Sequence, residues 1–167
     1  MRNSPLASVT ARISRIKLEI QNRWVQWRLS RPYPRRLPTE SVGQYGERLA
    51  AIFLERKGYF ILERSFRIRS GEIDIIAVWQ KRVVVFVEVK TWAMVLDNSG
   101  GPSDAVDDAK QEKITKTAMT YMKRHRMLEC AGRADVLQIV LGTKPTAPEF
   151  RHFENAFESV GNFQLFT

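Results

Sequence analysis

Two apolar runs, residues 73–79 and 83–90, are separated by only three polar residues, Gln80, Lys81 and Arg82. Short runs rich in Val, Ile and Phe, joined this tightly, fold as an antiparallel hairpin. Strand side chains alternate, so Val83, Val85, Val87 and Val89 share one face, and Val84, Phe86, Glu88 and Lys90 share the other. A three-residue connection pairs position 79 with 83 and sets Asp74 opposite Glu88, with Cβ atoms about 4.5–5.5 Å apart. A two-residue connection would turn Asp74 to the opposite face, so the register is a condition of everything that follows.

Charges that end an apolar strand face are costly to bury unless they are paired or hold a metal. Two readings follow. Glu88 and Lys90 form a structural ion pair, or Asp74 and Glu88 share a cation. Carboxylates this close repel unless one is protonated or a cation bridges them. Mg²⁺ suits such a pair, because it is held by one or two carboxylates plus waters and phosphate oxygens. An ion there would activate a water and offset charge growing on a phosphodiester, and Lys90 would orient that water or steady the phosphate. Glu72, beside the turn, reads as a solvated strand-end acid.

The surrounding pattern is mixed. A helix fits residues 41–57, with Val42, Tyr45, Leu49, Ile52 and Phe53 on one face and Gly58 as its stop. A strand fits 59–68, followed by the turn Arg69-Ser70-Gly71. After a loop around 97–102, a second helix is expected with Ser103 as cap and acids Asp104, Asp107 and Asp108 in its first turn. Further strands fit 134–141 and 150–153. Helix, three-strand meander, helix, strand describes an α/β layer with helices flanking one sheet.

Charge divides the chain. Residues 1–38 hold nine Arg/Lys against one acid, Glu19, a net +8 of the total +9. Within them Val9, Ile13, Ile16, Ile20, Trp24 and Trp27 form one helical stripe, and prolines at 32, 34 and 38 mark a linker before a body at 39–167. The arm suits docking on the body, a protein partner, an anionic membrane surface or nucleic acid, and an organelle transit peptide has the same composition. A single cysteine, Cys130, excludes a disulfide framework and suits a reducing compartment. No phosphate-cradling Gly-x-x-x-x-Gly-Lys motif is present, which argues against an NTPase. A ribonuclease built on His125 and His152 is the weakest of the enzymatic readings.

Gly-Glu-Ile-Asp at 71–74 followed by Phe-Val-Glu-Val-Lys-Thr at 86–91 resembles the YraN-like family of small bacterial proteins. That family is classed with the restriction-endonuclease-like PD-(D/E)XK nucleases and is similar to Holliday junction resolvases. The resemblance spans roughly residues 43–157 and includes Gly46-Glu47, Gly58-Tyr59, Gly101-Pro102, Lys110, Arg133, Asp135, His152 and Asn155. It implies a restriction-endonuclease-like mixed sheet flanked by helices, to which this chain adds the N-terminal amphipathic helix.

It also implies roles. Asp74 and Glu88 would ligate Mg²⁺ or Mn²⁺, Lys90 would be the catalytic lysine, and Glu47 would support the metal site from the first helix. Without the resemblance, Glu47 reads as a solvated helix carboxylate. From the helix pattern rather than the resemblance, Lys110 and Lys113 are candidates to reach DNA phosphates, although for Lys113 the solvated face of the helix is the simpler reading. Trp92, Ser65 and Ala134 depart from the family's usual arginine, asparagine and phenylalanine. The function so implied is a metal-dependent endonuclease on branched or damaged DNA in the bacterial cytoplasm, with a homodimer as its working form. A nucleic-acid-binding module that keeps the fold with little or no turnover is the alternative.

Overall fold

The computed structural model describes residues 31–92, 107–142 and 148–157. The expected amphipathic helix at 9–27, the loop at 97–102 and Ser103 lie outside them. Helix α1 spans Val42–Arg56. Ser41 caps it in a reciprocal box: its hydroxyl accepts from the Gln44 amide, and the Gln44 side chain accepts from the Ser41 amide. Gly58, at φ +91°, ends it as expected. Strands β1 (Phe60–Ile68), β2 (Gly71–Trp79) and β3 (Val83–Trp92) form the meander. Helix α2 (Asp108–Arg124) crosses over to β4 (Ala131–Val140), and β5 (Glu149–Phe153) follows.

The sheet order is β1-β2-β3-β4-β5, antiparallel throughout except for the parallel β3–β4 pair, which the α2 crossover requires. This is the mixed, helix-flanked α/β sheet expected of a restriction-endonuclease-like chain. Each helix covers one side. Leu49, Ala50, Ala51 and Leu54 of α1 pack on Ile75, Ala77, Val85, Val87, Leu137 and Ile139. Ile114, Ala118, Tyr121 and Met122 of α2 pack on Phe66, Ile73, Ile76, Val84, Phe86 and Val136. Leu49 and Leu54 are fully buried, and each contributes about 2 kcal/mol of apolar burial.

The face of α1 against the sheet differs from the expected stripe. Small residues, not the Val42/Tyr45/Ile52 row, press closest. A methyl group added at Gly46 would run into the Thr91 hydroxyl and lie 2.8 Å from Thr91 Cβ. Glycine is therefore what lets the helix seat on the end of β3. Helix α2 begins at Asp108, and Asp107 caps it by accepting from the Lys110 amide. The expected linker is in part a strap on the body. Tyr33 packs on Phe150 at 4.7 Å, the Tyr45 hydroxyl donates to the Pro34 carbonyl, and Arg48 donates to the Arg35 carbonyl.

Candidate functional site

The hairpin register is the one the three-residue connection demands. Trp79 pairs with Val83, and the pairing runs to Ile75 with Val87. One step further, the same count sets Asp74 across from Glu88. Val84 and Phe86 face α2 while Val85 and Val87 face α1, so β3 alternates as expected. Strand β2 does not. Ile73 and Ile76 both face α2, though Ile75 between them faces α1. The break in alternation falls at Asp74.

Its neighbour on β1 is bent as well. Ser65, opposite Asp74 by the β1–β2 register, has φ +53°, a left-handed conformation that asparagine tolerates better than serine. The Ser65 hydroxyl donates to Glu47 Oε2 at 3.0 Å, tying α1 to the kink. Asp74 turns its carboxylate to the next free backbone donor: Oδ2 accepts from the Val89 amide at 2.8 Å.

Glu88 is 5% exposed and is met by two ammonium groups. Lys90 Nζ lies 3.1 Å from Oε1, and Lys110 Nζ of α2 lies 3.2 Å from Oε2. The second contact is an ion pair without hydrogen-bond geometry, and Oε2, fully buried, has no hydrogen-bond partner. Asp74 is pushed up to about 7. Burial is the main cause, the Glu88 and Glu47 charges add to it, and the Val89 amide and Lys110 oppose it. The fold therefore brings Glu47, Asp74, Glu88, Lys90 and Lys110 into one electrostatic neighbourhood. Lys113 is exposed, one turn along α2 from Lys110.

Among the described residues, no three acidic, His or Cys side chains converge closely enough to make a ready three-ligand metal centre. Two carboxylates are what Mg²⁺ or Mn²⁺ needs when waters and phosphate complete its shell. A buried carboxylate oxygen without a hydrogen bond, beside a second carboxylate destabilised in its charged form, fits such an ion.

Residues 46–139 match the family described as Uncharacterised protein family UPF0102. The chain belongs to that family. UPF0102 is the YraN family that the motifs resemble, and the matched segment contains Glu47, Asp74, Glu88, Lys90, Lys110 and Lys113. A UPF0102 protein of Caldanaerobacter subterraneus subsp. tengcongensis is 44% identical over 119 residues, covering 71% of this chain and 95% of its own length. A UPF0102 protein of Geobacter metallireducens is 43% identical over 122 residues, covering 73% and 96%. One from Rhodopirellula baltica is 40% identical over 122 residues, covering 72% of each.

A second charged cluster lies on β4 and β5. Asp135, fully buried, accepts from Arg133 Nε at 2.9 Å, from the Asn155 amide at 2.9 Å, and lies 2.9 Å from His152 Nε2. Arg133 also donates to the Tyr59 hydroxyl, whose pKa burial raises to about 12. This network braces the sheet edge and keeps His152 buried, whereas His125 stacks on Tyr121 at the C-terminus of α2. The two histidines share no site, so the two-histidine ribonuclease reading has no geometry behind it. An Asp in the middle of an apolar strand was the available signal for the Asp135 cluster. Among the described residues, no helix is long and apolar enough to cross a membrane.

Proposed function

We propose that this chain is a divalent-metal-dependent endonuclease that hydrolyses DNA phosphodiesters. One observation carries the reading: the hairpin register sets Asp74 beside the buried Glu88, whose Oε2 has no hydrogen-bond partner. In this reading Asp74 and Glu88 hold Mg²⁺ or Mn²⁺, which when bound supplies an activated water and offsets phosphate charge. Lys90, one-third exposed, donates from its ammonium to the attacking water or to a phosphate oxygen. The Val89 amide fixes the Asp74 rotamer, so the carboxylate needs no reorganisation to act. Glu47, held by Ser65, adds negative charge that favours a dication.

The test is cleavage of supercoiled, linear and four-way-junction DNA with Mg²⁺, with Mn²⁺ and with chelator. Cleavage that needs the metal and disappears in Asp74→Ala supports the reading; metal-dependent cleavage that persists in Asp74→Ala refutes it. A working homodimer, a cytoplasmic setting, and a membrane or protein partner for residues 1–38 belong to the same proposal.

One feature favours the alternative, a nucleic-acid-binding module with little or no turnover. Glu88 already has its charge matched by Lys90 and Lys110. In that case DNA binding persists in Glu88→Ala and no DNA form is cut under any metal.

A further inference from the structure

The turn between β1 and β2 and the first half of α2 enclose a groove of about 440 Å³. Arg67, Arg69 and Glu72 line one wall, and Lys110 and Lys113 line the other. Its floor is set by a close approach. A methyl group added at Gly71 would lie 2.8 Å from Thr117 Oγ1 and 3.4 Å from Lys113 Cβ, so the turn sits directly on α2. Among the described residues, four cations face one acid, and that acid, Glu72, is spent on Arg67 in an exposed pair at 3.1 Å. Among the described residues, Arg69 and Lys113 are in no ion pair. In the sequence, Arg69-Ser70-Gly71 reads only as a turn.

Lys110 belongs to both places. It lines the groove, and its ammonium is 3.2 Å from Glu88. The groove is thus the cationic approach to the carboxylates. We infer that it is a phosphate-binding track for a nucleic-acid strand, holding the backbone beside the position where the Asp74/Glu88 pair acts. The inference rests on the nuclease reading for what happens next door, and on the groove itself for the binding.

The lining says what kind of recognition this is. Among the described residues, the groove's lining holds no aromatic side chain for a base to stack on, and Ile68 is its one large apolar residue. Guanidinium and ammonium groups without stacking partners grip phosphates and read no sequence. Pockets of roughly 300–1,000 Å³ hold compact organic ligands, so the volume admits one or two nucleotides of a strand. An acidic peptide would gain from the same cations as a phosphodiester and meet the same repulsion from the adjacent carboxylates. A phosphodiester strand is the anion for which a carboxylate pair beside the groove has a use.

The test measures binding of a fluorescent DNA strand and duplex by anisotropy, in chelator, across a salt series. Arg69→Ser and Lys113→Ser, both at exposed positions, should each weaken binding about 3- to 10-fold for every sequence tried, and lower the salt slope by about 1. Glu72→Gln should tighten binding, a gain that misfolding does not produce. Lys123→Ser and Arg124→Ser, at the far end of the same helix, should leave it unchanged. Groove variants that bind like wild type, or far-end variants that lose as much, overturn the assignment. Full displacement of the strand by equimolar inorganic phosphate also overturns it, in favour of a free phosphate ligand. Mn²⁺ titration by calorimetry separates the two claims. Arg69→Ser should keep wild-type Mn²⁺ affinity, and a wild type that binds no Mn²⁺ refutes the nuclease reading while leaving the groove result intact.

Discussion

Asp74 takes the amide hydrogen of Val89 at 2.8 Å, just past the last backbone pair between β2 and β3. A side chain thereby satisfies a strand donor that a backbone carbonyl would otherwise meet, and the carboxylate is drawn into a half-buried place beside Glu88. That position has a thermodynamic signature.

The folded-state pKa of Asp74, about 7, lies above its ordinary value near 3.8. Between those values the folded chain holds more protons than the unfolded one, so stability falls as pH rises through the window and levels off above it. That difference corresponds to at most about 4 kcal/mol. Asp74→Asn should remove this dependence. The stability difference between variant and wild type, from urea unfolding at pH 4 to 8, should move in the variant's favour as pH rises. A difference that stays flat excludes the half-buried, charge-strained carboxylate.

Lys110 stands 3.2 Å from Glu88, where it opposes an incoming dication. Removing its charge in Lys110→Met should tighten Mn²⁺ binding at pH 8 by roughly 1 kcal/mol, the Coulomb term for a pair largely screened by water. The same change should weaken DNA binding. Calorimetry that finds unchanged or weaker Mn²⁺ affinity disproves the competition.

Ser65 is held at φ +53°. Asn pays less for that conformation and its amide can still donate toward Glu47. Ser65→Asn should therefore stabilise the protein by about 0.5–1 kcal/mol, seen as a higher melting temperature. A lower one means the hydroxyl contact to Glu47 outweighs the backbone term.

Asp135 neutralises Arg133 and accepts the Asn155 amide inside the sheet. Asp135→Asn leaves a guanidinium short of its counter-charge in a buried place, a change of about 3–5 kcal/mol. Denaturant unfolding should show it. A loss under 1 kcal/mol would mean that Glu154, 2.9 Å from Arg133, compensates instead.

The order of elements was legible because local signals were strong: the Ser41/Gln44 box, Gly58 after the helix, and the three-residue hairpin connection. The helix face was misjudged for a physical reason. Large side chains mark where apolar surface is, but small ones mark where backbones touch, and Gly46, Ala50 and Ala51 bring α1 onto the sheet. Glu47 borders that face, which is why a carboxylate that reads as solvated ends up beside Asp74. Strand β2 was expected to alternate, and the kink at Asp74 is invisible without the left-handed Ser65 opposite it. Lys110 meets Glu88 only through the parallel crossover, a contact across 22 residues of sequence that no local pattern encodes.

The strap at residues 33–37 has a mechanical meaning. Tyr33 is gripped by the Arg56 guanidinium and by Phe150, while Arg48 clasps both the Arg35 carbonyl and Glu40. Two of those grips come from the helix that bears Glu47. The first stretch of the body is thus fastened to α1 at Arg48, one residue along the chain from a carboxylate of the candidate site.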